Sequence, residues 1–236
     1  MSRLFAIADL HLSSSGAKPM DIFGEIWRDH AARLAAAWDA SVGADDHVLV
    51  AGDLSWARSL EEARGDLEWI GSRTGRKLLL RGNHDSWWSS ISRVRQALPP
   101  GCVALQNDAF DLGTCVVVGA RGWLAPDDPL AQPADEPIFR RELARLAESI
   151  ADADRRFGRR VPRVAMLHYP PWIEGRAPTE VVAILRAGGV RSCVYGHLHG
   201  ADHALGPRGE RQGIAFHLVA ADAVGFTPVP IDLPDS

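Results

Sequence analysis

The chain has 236 residues, 46% of them hydrophobic and 24% charged, which is enough apolar material for one large α/β domain or two small ones and too much for general disorder. A formal charge of −4 and an isoelectric point near 6.1 exclude a surface that attracts nucleic acid or anionic membrane as a whole, so an anionic ligand must be held by local positive charge. Three separated cysteines in apolar surroundings, Cys102, Cys115 and Cys193, predict buried free thiols rather than a disulfide frame. With no signal-peptide pattern and no apolar run of about 18 residues, the expectation is a cytoplasmic protein without a membrane span.

In chain order, an apolar run at 3–8 stops at Asp9, and a second at 48–51 stops at Gly52-Asp53. Between them, residues 22–40 carry apolar side chains at helical spacing. A helix over 60–70 and a strand over 77–80 follow, then Gly82-Asn83-His84-Asp85 and a helix predicted to begin near Ser86. This alternation of strand and helix is the pattern of a parallel sheet, whose ligands bind at the carboxyl ends of the strands. Residues 109–119 predict a hairpin turning at Leu112-Gly113-Thr114, with 115–118 as a buried strand. A Pro-rich loop (125–137) leads into a charged helix (138–157), and a strand at 164–167 ends at His168. A helix at 179–187 precedes a strand at 192–195 that ends in Gly-His-Leu-His, and the tail, 214–231, alternates as two or three antiparallel strands would. No repeat or linker divides the chain, so a single domain is expected.

Each of these strand ends carries metal-type ligands: Asp9 and His11, Asp53, Asn83 and His84, His168, and His197 and His199. In an extended segment residues two apart share a face, so Asp9 with His11, and His197 with His199, can each offer two ligands to one cavity. Converging polar groups in apolar surroundings are costly unless something satisfies them, and metal ions would. A lone histidine at a strand end is more often structural; the ordered set is what carries weight.

That set, ADLHL, AGDLS, RGNHDS, LHYP and YGHLHG, resembles the calcineurin-like metallophosphoesterase superfamily from Asp9 to His199. The resemblance implies a four-layer α/β/β/α sandwich of two mixed sheets with a dinuclear metal site at the strand ends. It implies one metal held by Asp9, His11, Asp53 and His199 and a second by Asp53, Asn83, His168 and His197, with Asp53 bridging. Imidazole, carboxylate and amide ligands without thiolate suit two borderline divalent ions, manganese first, with iron, zinc, cobalt or nickel as alternatives. Two such ions can lower the pKa of a shared water to supply a hydroxide and neutralise phosphoryl charge. The expected activity is therefore phosphodiester or phosphomonoester hydrolysis by in-line attack.

The leaving group needs a proton. His84 sits beside Asn83 in a turn, cannot easily reach the same metal, and is the candidate general acid, with Asp85 either orienting its imidazole or capping a helix. Trp56, Trp87, Trp88 and Trp172 lie close to the motifs; each alone is more in keeping with core packing, but at least one is expected at the pocket rim. Arg81, Arg121 and Arg176 are candidates for gripping phosphate, and AKPMDIFGEIW, RGWLAPDD and PPWIEGR for the substrate rim. The GDLSWARS segment lacks the second Asp and the Arg position of calcineurin-type protein phosphatases, His84 is retained where lipid-precursor pyrophosphatases usually carry Arg, and the length leaves no room for the DNA-holding segments of repair nucleases. A small or medium phosphoester is the expected substrate and long nucleic acid is not. A non-catalytic scaffold of the same fold is the alternative, but scaffolds lose ligands and this chain has lost none.

Overall fold

The computed structural model describes residues 2–14, 16 and 18–233. One sheet is ordered β11-β1-β2-β3-β4. In it β1 (Leu4–Ile7), β2 (His47–Ala51), β3 (Arg76–Leu80) and β4 (Cys102–Ala104) are parallel, and β11 (Val229–Pro230) is antiparallel at the β1 edge. The other comprises β5 (Phe110–Asp111), β6 (Val116–Ala120), β7 (Arg163–Leu167), β8 (Val190–Tyr195), β10 (Ile214–Leu218) and β9 (Gly209–Arg211), in that spatial order. Strands β6, β7, β8 and β10 are parallel to their neighbours, while β5 and β9 are antiparallel edges.

The strands are apolar on both faces, as sheets covered on both sides require. Along β1, Leu4 and Ala6 point between the sheets, where they meet Leu49, Leu78, Val117, Val164, Met166 and Val194. Phe5 and Ile7 point the other way, into a core with Leu34 and Trp38 of α1 (His30–Ser41), Leu67 and Ile70 of α2 (Arg64–Ser72) and Val94 of α3 (Ile91–Ala97). The second sheet is covered likewise by Phe139, Leu146 and Ile150 of α4 (Glu136–Phe157) and by Val182 and Leu185 of α5 (Glu180–Ala187). The result is the expected four-layer α/β/β/α sandwich. Beyond the strands, Ala8 donates to the Val219 carbonyl (2.8 Å) and accepts from the Ala221 amide (3.0 Å), which joins the two sheets at the end where the motifs lie.

Several boundaries differ from the sequence expectation. The helix predicted over 22–40 begins only at His30, because Asp29 takes a left-handed backbone (φ 52°) that breaks the ladder; two single 3₁₀ turns, Met20–Phe23 and Glu25–Trp27, precede it. The helix expected near Ser86 begins at Ile91. β4 escaped notice as a strand because it is three residues long. In the tail β10 pairs parallel with β8, not antiparallel as the alternation suggested, and is antiparallel only to β9. Thr179 caps α5 by accepting from the Val181 amide (3.2 Å). Cys102, Cys115 and Cys193 are free, and burial pushes the Cys102 thiol up to about 11 and the Cys115 thiol up to about 12. Among the described residues, no helix is long and apolar enough to cross a membrane.

The connection from α2 into β3 is fixed by a buried lysine. The Lys77 ammonium donates to the carbonyls of Gly71 (3.1 Å), Arg73 (2.7 Å) and Gly75 (2.8 Å), satisfying groups at the helix C-terminus that have no partner within the helix. Lys77→Met keeps the apolar stem and removes all three bonds, and is expected to cost roughly 1–3 kcal/mol. Urea denaturation measures this; an unchanged midpoint would show that the carbonyls find other partners.

Candidate metal centre

The motif residues lie just past the C-terminal ends of five parallel strands: Asp9 and His11 after β1, Asp53 after β2, Asn83 and His84 after β3, His168 after β7, and His197 and His199 after β8. Four of them, Asp9 (φ 59°), His11 (45°), Asp53 (52°) and His197 (73°), have left-handed backbone. Asp9 and His11 therefore share a cavity because the chain turns sharply after β1, not because it stays extended. Such conformations cost on the order of 1–3 kcal/mol each and persist where surrounding structure enforces them. Here the loops hold one another: Asp9 N donates to Gly52 O (2.9 Å), His11 N to Asp53 O (3.0 Å) and Leu12 N to Leu54 O (3.0 Å).

The side chains form two overlapping groups. In one, Asp9, His11 and His199 present ligand atoms all within 4.8 Å of one another; His11 Nε2 and His199 Nε2 are 3.3 Å apart, and His199 Nε2 is 3.6 Å from Asp9 Oδ1. In the other, Asp9, Asp53 and His168 do the same. His168 Nε2 lies 3.5 Å from Asp53 Oδ2 and 2.7 Å from Asn83 Oδ1, and His197 Nδ1 approaches that same amide oxygen at 3.0 Å. Asp53 is common ground, since His11 Nε2 lies 3.9 Å from its Oδ2. The spacing is tight enough to require glycine. A Cβ on Gly82 would overlap Asp53 Oδ1, and one on Gly196 would overlap Asp9 Oδ2.

This donor set fits divalent cations. Asp9, Asp53 and His168 are buried, and among the described residues Asp9 Oδ1 has no hydrogen-bond partner. Burial, with the Asp53 charge beside it, pushes the Asp9 carboxyl up to about 7. Burial also raises Asp53, but His168 and His11 outweigh it and hold that carboxyl far below its usual range. Burial lowers His168, yet Asp53 and Asp9 carry it up to about 9. Burial, with neighbouring imidazoles, brings His11 and His197 down to about 3, leaving neutral nitrogens with lone pairs. Unprotonated imidazole nitrogens facing each other and two buried carboxylates are what a cation would satisfy.

Four neighbouring side chains carry no role of their own in the sequence reading, although Trp27 lies in the expected rim segment AKPMDIFGEIW and Tyr169 in LHYP. Asp222 lies 2.9 Å from His199 Nδ1 through Oδ1 and accepts from Gly200 N (3.0 Å), and His203 Nε2 is 3.0 Å from its other oxygen. Trp27 packs edge-on to both His11 (5.7 Å) and His199 (5.6 Å). The Tyr169 ring lies 4.0 Å from that of His197. Asp222 follows a strand without any motif around it; only its acidic character in an otherwise apolar AADAV stretch marks it. A carboxylate behind an imidazole orients the ring and raises its basicity. Asp222→Asn is therefore expected to weaken metal binding about 10–100-fold, measured by competition with a chromogenic chelator; wild-type affinity would remove Asp222 from the centre.

Asp85 does not serve His84. Its Oδ1 accepts from Leu54 N (2.9 Å), Ser55 N (3.1 Å) and Trp87 Nε1 (3.0 Å) and its Oδ2 from Gly82 N (2.8 Å), so it ties the β2 and β3 loops together. Neither is it a helix cap, since α3 starts six residues later, at Ile91. Burial and then Asp53 push its carboxyl up to about 6. Asp85→Ala strands several buried N–H groups and is expected to cost about 3 kcal/mol, read as a lower urea midpoint; a shift below about 1 kcal/mol would contradict the tie.

Of the four tryptophans, Trp87, Trp88 and Trp172 are buried in the core. Trp56 is at the rim, stacked on His11 (4.9 Å, 19°) and 4.3 Å from the His84 ring. Lys18 Nζ sits 3.3 Å from its ring centre, and Phe23 stacks on it at 6.4 Å. Ala17, at the head of the first rim segment, lies outside the described residues. Arg176 donates to the Asp127 carbonyl, linking the other two rim segments, while Arg81 and Arg121 line a separate cavity.

Residues 2–201 match the calcineurin-like phosphoesterase family. Gene 66 protein of Mycobacterium phage L5 is 38% identical over 85 residues, covering 36% of this chain and 41% of that protein. Gene 66 protein of phage D29 is 39% identical over 88 residues, with the same coverage of 36% and 41%. The matched part thus spans well under half of these curated relatives. In structure the chain is similar to phosphopantetheinyl hydrolase from Mycobacterium tuberculosis (TM-score 0.57, 16% identity, 99% of this chain and 96% of that one). It is also similar to a protein of unknown function from Aquifex aeolicus (0.53, 12%, 98% and 96%). At these identities the likeness speaks for the fold alone. With the motif residues gathered at one end of that fold and a family match over most of its length, this chain belongs to the calcineurin-like phosphoesterase family.

Proposed function

We propose that the protein is a dinuclear metal-dependent phosphohydrolase acting on a small or medium phosphodiester or phosphomonoester. The observation that carries this is a pair of ligand groups that share Asp9, with Asp53 Oδ2 reaching toward both, 3.9 Å from His11 Nε2 and 3.5 Å from His168 Nε2. Asp9, His11, Asp53 and His199 would hold one ion and Asp53, Asn83, His168 and His197 the other, with manganese the first candidate for this imidazole, carboxylate and amide set. Such a pair, when bound, lowers the pKa of a shared water and neutralises phosphoryl charge.

The chain's own residues supply the rest. His168 Nδ1 donates to the Ala51 carbonyl (3.0 Å), which fixes its ring and turns Nε2 to the centre. His84 is the most exposed of the motif histidines: its side chain is 44% exposed, against 35% for His199, 3% for His11 and 0% for His168. Its backbone amide donates to Asp53 Oδ1 (2.8 Å), so the loop is anchored while the imidazole stands at the mouth. That position suits a group that protonates a departing oxygen rather than a ligand. Trp56 and Phe23 beside it offer an aromatic surface to an organic leaving group.

The test is His84→Ala in manganese-loaded protein. Metal content is expected to stay at two equivalents, with turnover falling roughly 10²–10⁴-fold on esters of poor leaving groups and much less on p-nitrophenyl esters. Equal losses on both would assign His84 to phosphate binding, loss of one equivalent would make it a ligand, and absence of hydrolysis by the loaded wild-type protein across p-nitrophenyl mono- and diesters, nucleotides and cyclic nucleotides would overturn the enzymatic assignment.

A further inference from the structure

The mouth of the metal centre carries a cation that the chemistry proposed above does not use. The Lys18 ammonium lies 3.3 Å from the ring centre of Trp56 and 5.3 Å from that of Phe23. The same indole stacks on His11 (4.9 Å) and lies 4.3 Å from the ring of His84. One side chain therefore meets a metal-ligand candidate, the candidate general acid and the cation. A ligand can reach this surface, since Lys18 and Trp56 are half-buried, Phe23 is 54% exposed and the His84 side chain 44%.

The surrounding chain fixes these groups in place. Trp56 N donates to the Leu12 carbonyl (3.0 Å) and its Nε1 to Met20 Sδ (3.1 Å), which holds both the backbone and the indole. Lys18 N donates to Ser13 Oγ (3.2 Å), which anchors the base of the lysine. Among the described residues Lys18 has no salt bridge, and its ammonium is held by the negative face of a ring. That attraction is weak at an exposed site, so the charge is positioned without being neutralised. An arriving anion can take it without breaking an ion pair.

The order of the groups specifies a ligand. With the reacting phosphoryl at the buried carboxylates and the departing oxygen at His84, the rest of the leaving group runs along Trp56 and Phe23 and then meets Lys18. The aromatic faces suit a flat, apolar segment, and an uncompensated ammonium suits a negative group. We propose that Lys18, Trp56 and Phe23 form a leaving-group subsite selecting phosphoesters in which the leaving group joins a flat apolar segment to a second, anionic group. This inference rests on the phosphohydrolase reading and names the substrate class within it.

Benzylphosphonate, p-methylbenzylphosphonate and p-carboxybenzylphosphonate carry the metal-seeking group and the ring but have no ester to hydrolyse. Calorimetric titration of each into the manganese-loaded full chain therefore reads the subsite without turnover. The carboxylated compound is expected to bind about fivefold tighter than the other two. Lys18→Met is expected to bring all three within about twofold of one another, Lys18→Arg to keep the preference, and Phe23→Ala to weaken all three about threefold. Absence of a preference in wild type, a preference that survives Lys18→Met, or unchanged affinities in Phe23→Ala would overturn the subsite. An equal loss for all three compounds in Lys18→Met would place the lysine on the reacting phosphoryl and overturn it as well. Absence of binding by all three would overturn the phosphohydrolase reading along with the subsite, whereas binding without preference overturns the subsite alone.

Discussion

Two carboxylates buried together at the ends of adjacent parallel strands are the constraint around which the structure is arranged. Asp9 and Asp53, with His168, bring ligand atoms within 4.8 Å of one another in a region with essentially no solvent exposure. Like charges at that spacing, out of water, cannot both be ionised without compensation. The chain supplies part of it: the His197 amide donates to Asp9 (2.9 Å) and the His84 amide to Asp53 (2.8 Å). The remainder would have to come from a protonated His168 and a neutralised Asp9, both displaced upward, to about 9 and about 7. Cations in the same place would let both carboxylates ionise and would keep the liganding imidazoles neutral.

Holding that arrangement has a conformational cost, and the fold carries it. Four ligand-type residues sit in left-handed backbone, a total of several kcal/mol on the usual scale. What holds them is a set of loop-to-loop bonds anchored in two sheets whose facing sides share one apolar core. Asp85 is central to this: buried, bonded to amides of both the β2 and β3 loops, it makes the GD and GNHD motifs a single unit. The indole beside it is held by the same carboxylate. The crowding of polar and aromatic residues in GNHDSWW thus divides by depth, with Asp85, Trp87 and Trp88 building the floor and His84 and Ser86 standing toward solvent.

How much of this was legible in the chain follows from where the information resides. Strands β1, β2, β3, β7 and β8 were readable because each is an apolar run cut short by a polar motif, and the same interruption marked Asp9, Asp53, Asn83, His168 and His197. Helix α4 was readable as a long charged stretch after a Pro-rich loop. Three kinds of feature were not. The start of α1 depends on the single backbone conformation of Asp29, which the apolar spacing of 22–40 conceals. The parallel pairing of β10 with β8 is a long-range choice that alternation cannot encode. Asp222 joins the centre only because the sheets bring distant segments to one edge, and it has no local signature; Trp27 was marked only as part of a rim segment, not as a neighbour of His11 and His199. Adjacency in sequence offers Asp85 either to His84 or to a helix N-terminus, whereas its carboxylate serves the loop across from it.

The late start of α1 also shapes the mouth of the site. Because residues before His30 form separate 3₁₀ turns rather than a helix face, Ile22, Phe23 and Ile26 have no sheet to cover and remain exposed at 65%, 54% and 51%. Phe23 stacks toward Trp56, and Trp56 toward His11, so an apolar lip runs without interruption from solvent to the ligand shell. Lys18 lies over the same indole, and the cation there is held by a ring face instead of a carboxylate. Among the described residues this cation has no salt bridge, and such a charge beside an aromatic surface is suited to a ligand that is anionic at one point and apolar next to it. This is the local positive charge that the acidic chain as a whole does not provide, placed where a phosphoester with an organic leaving group would enter.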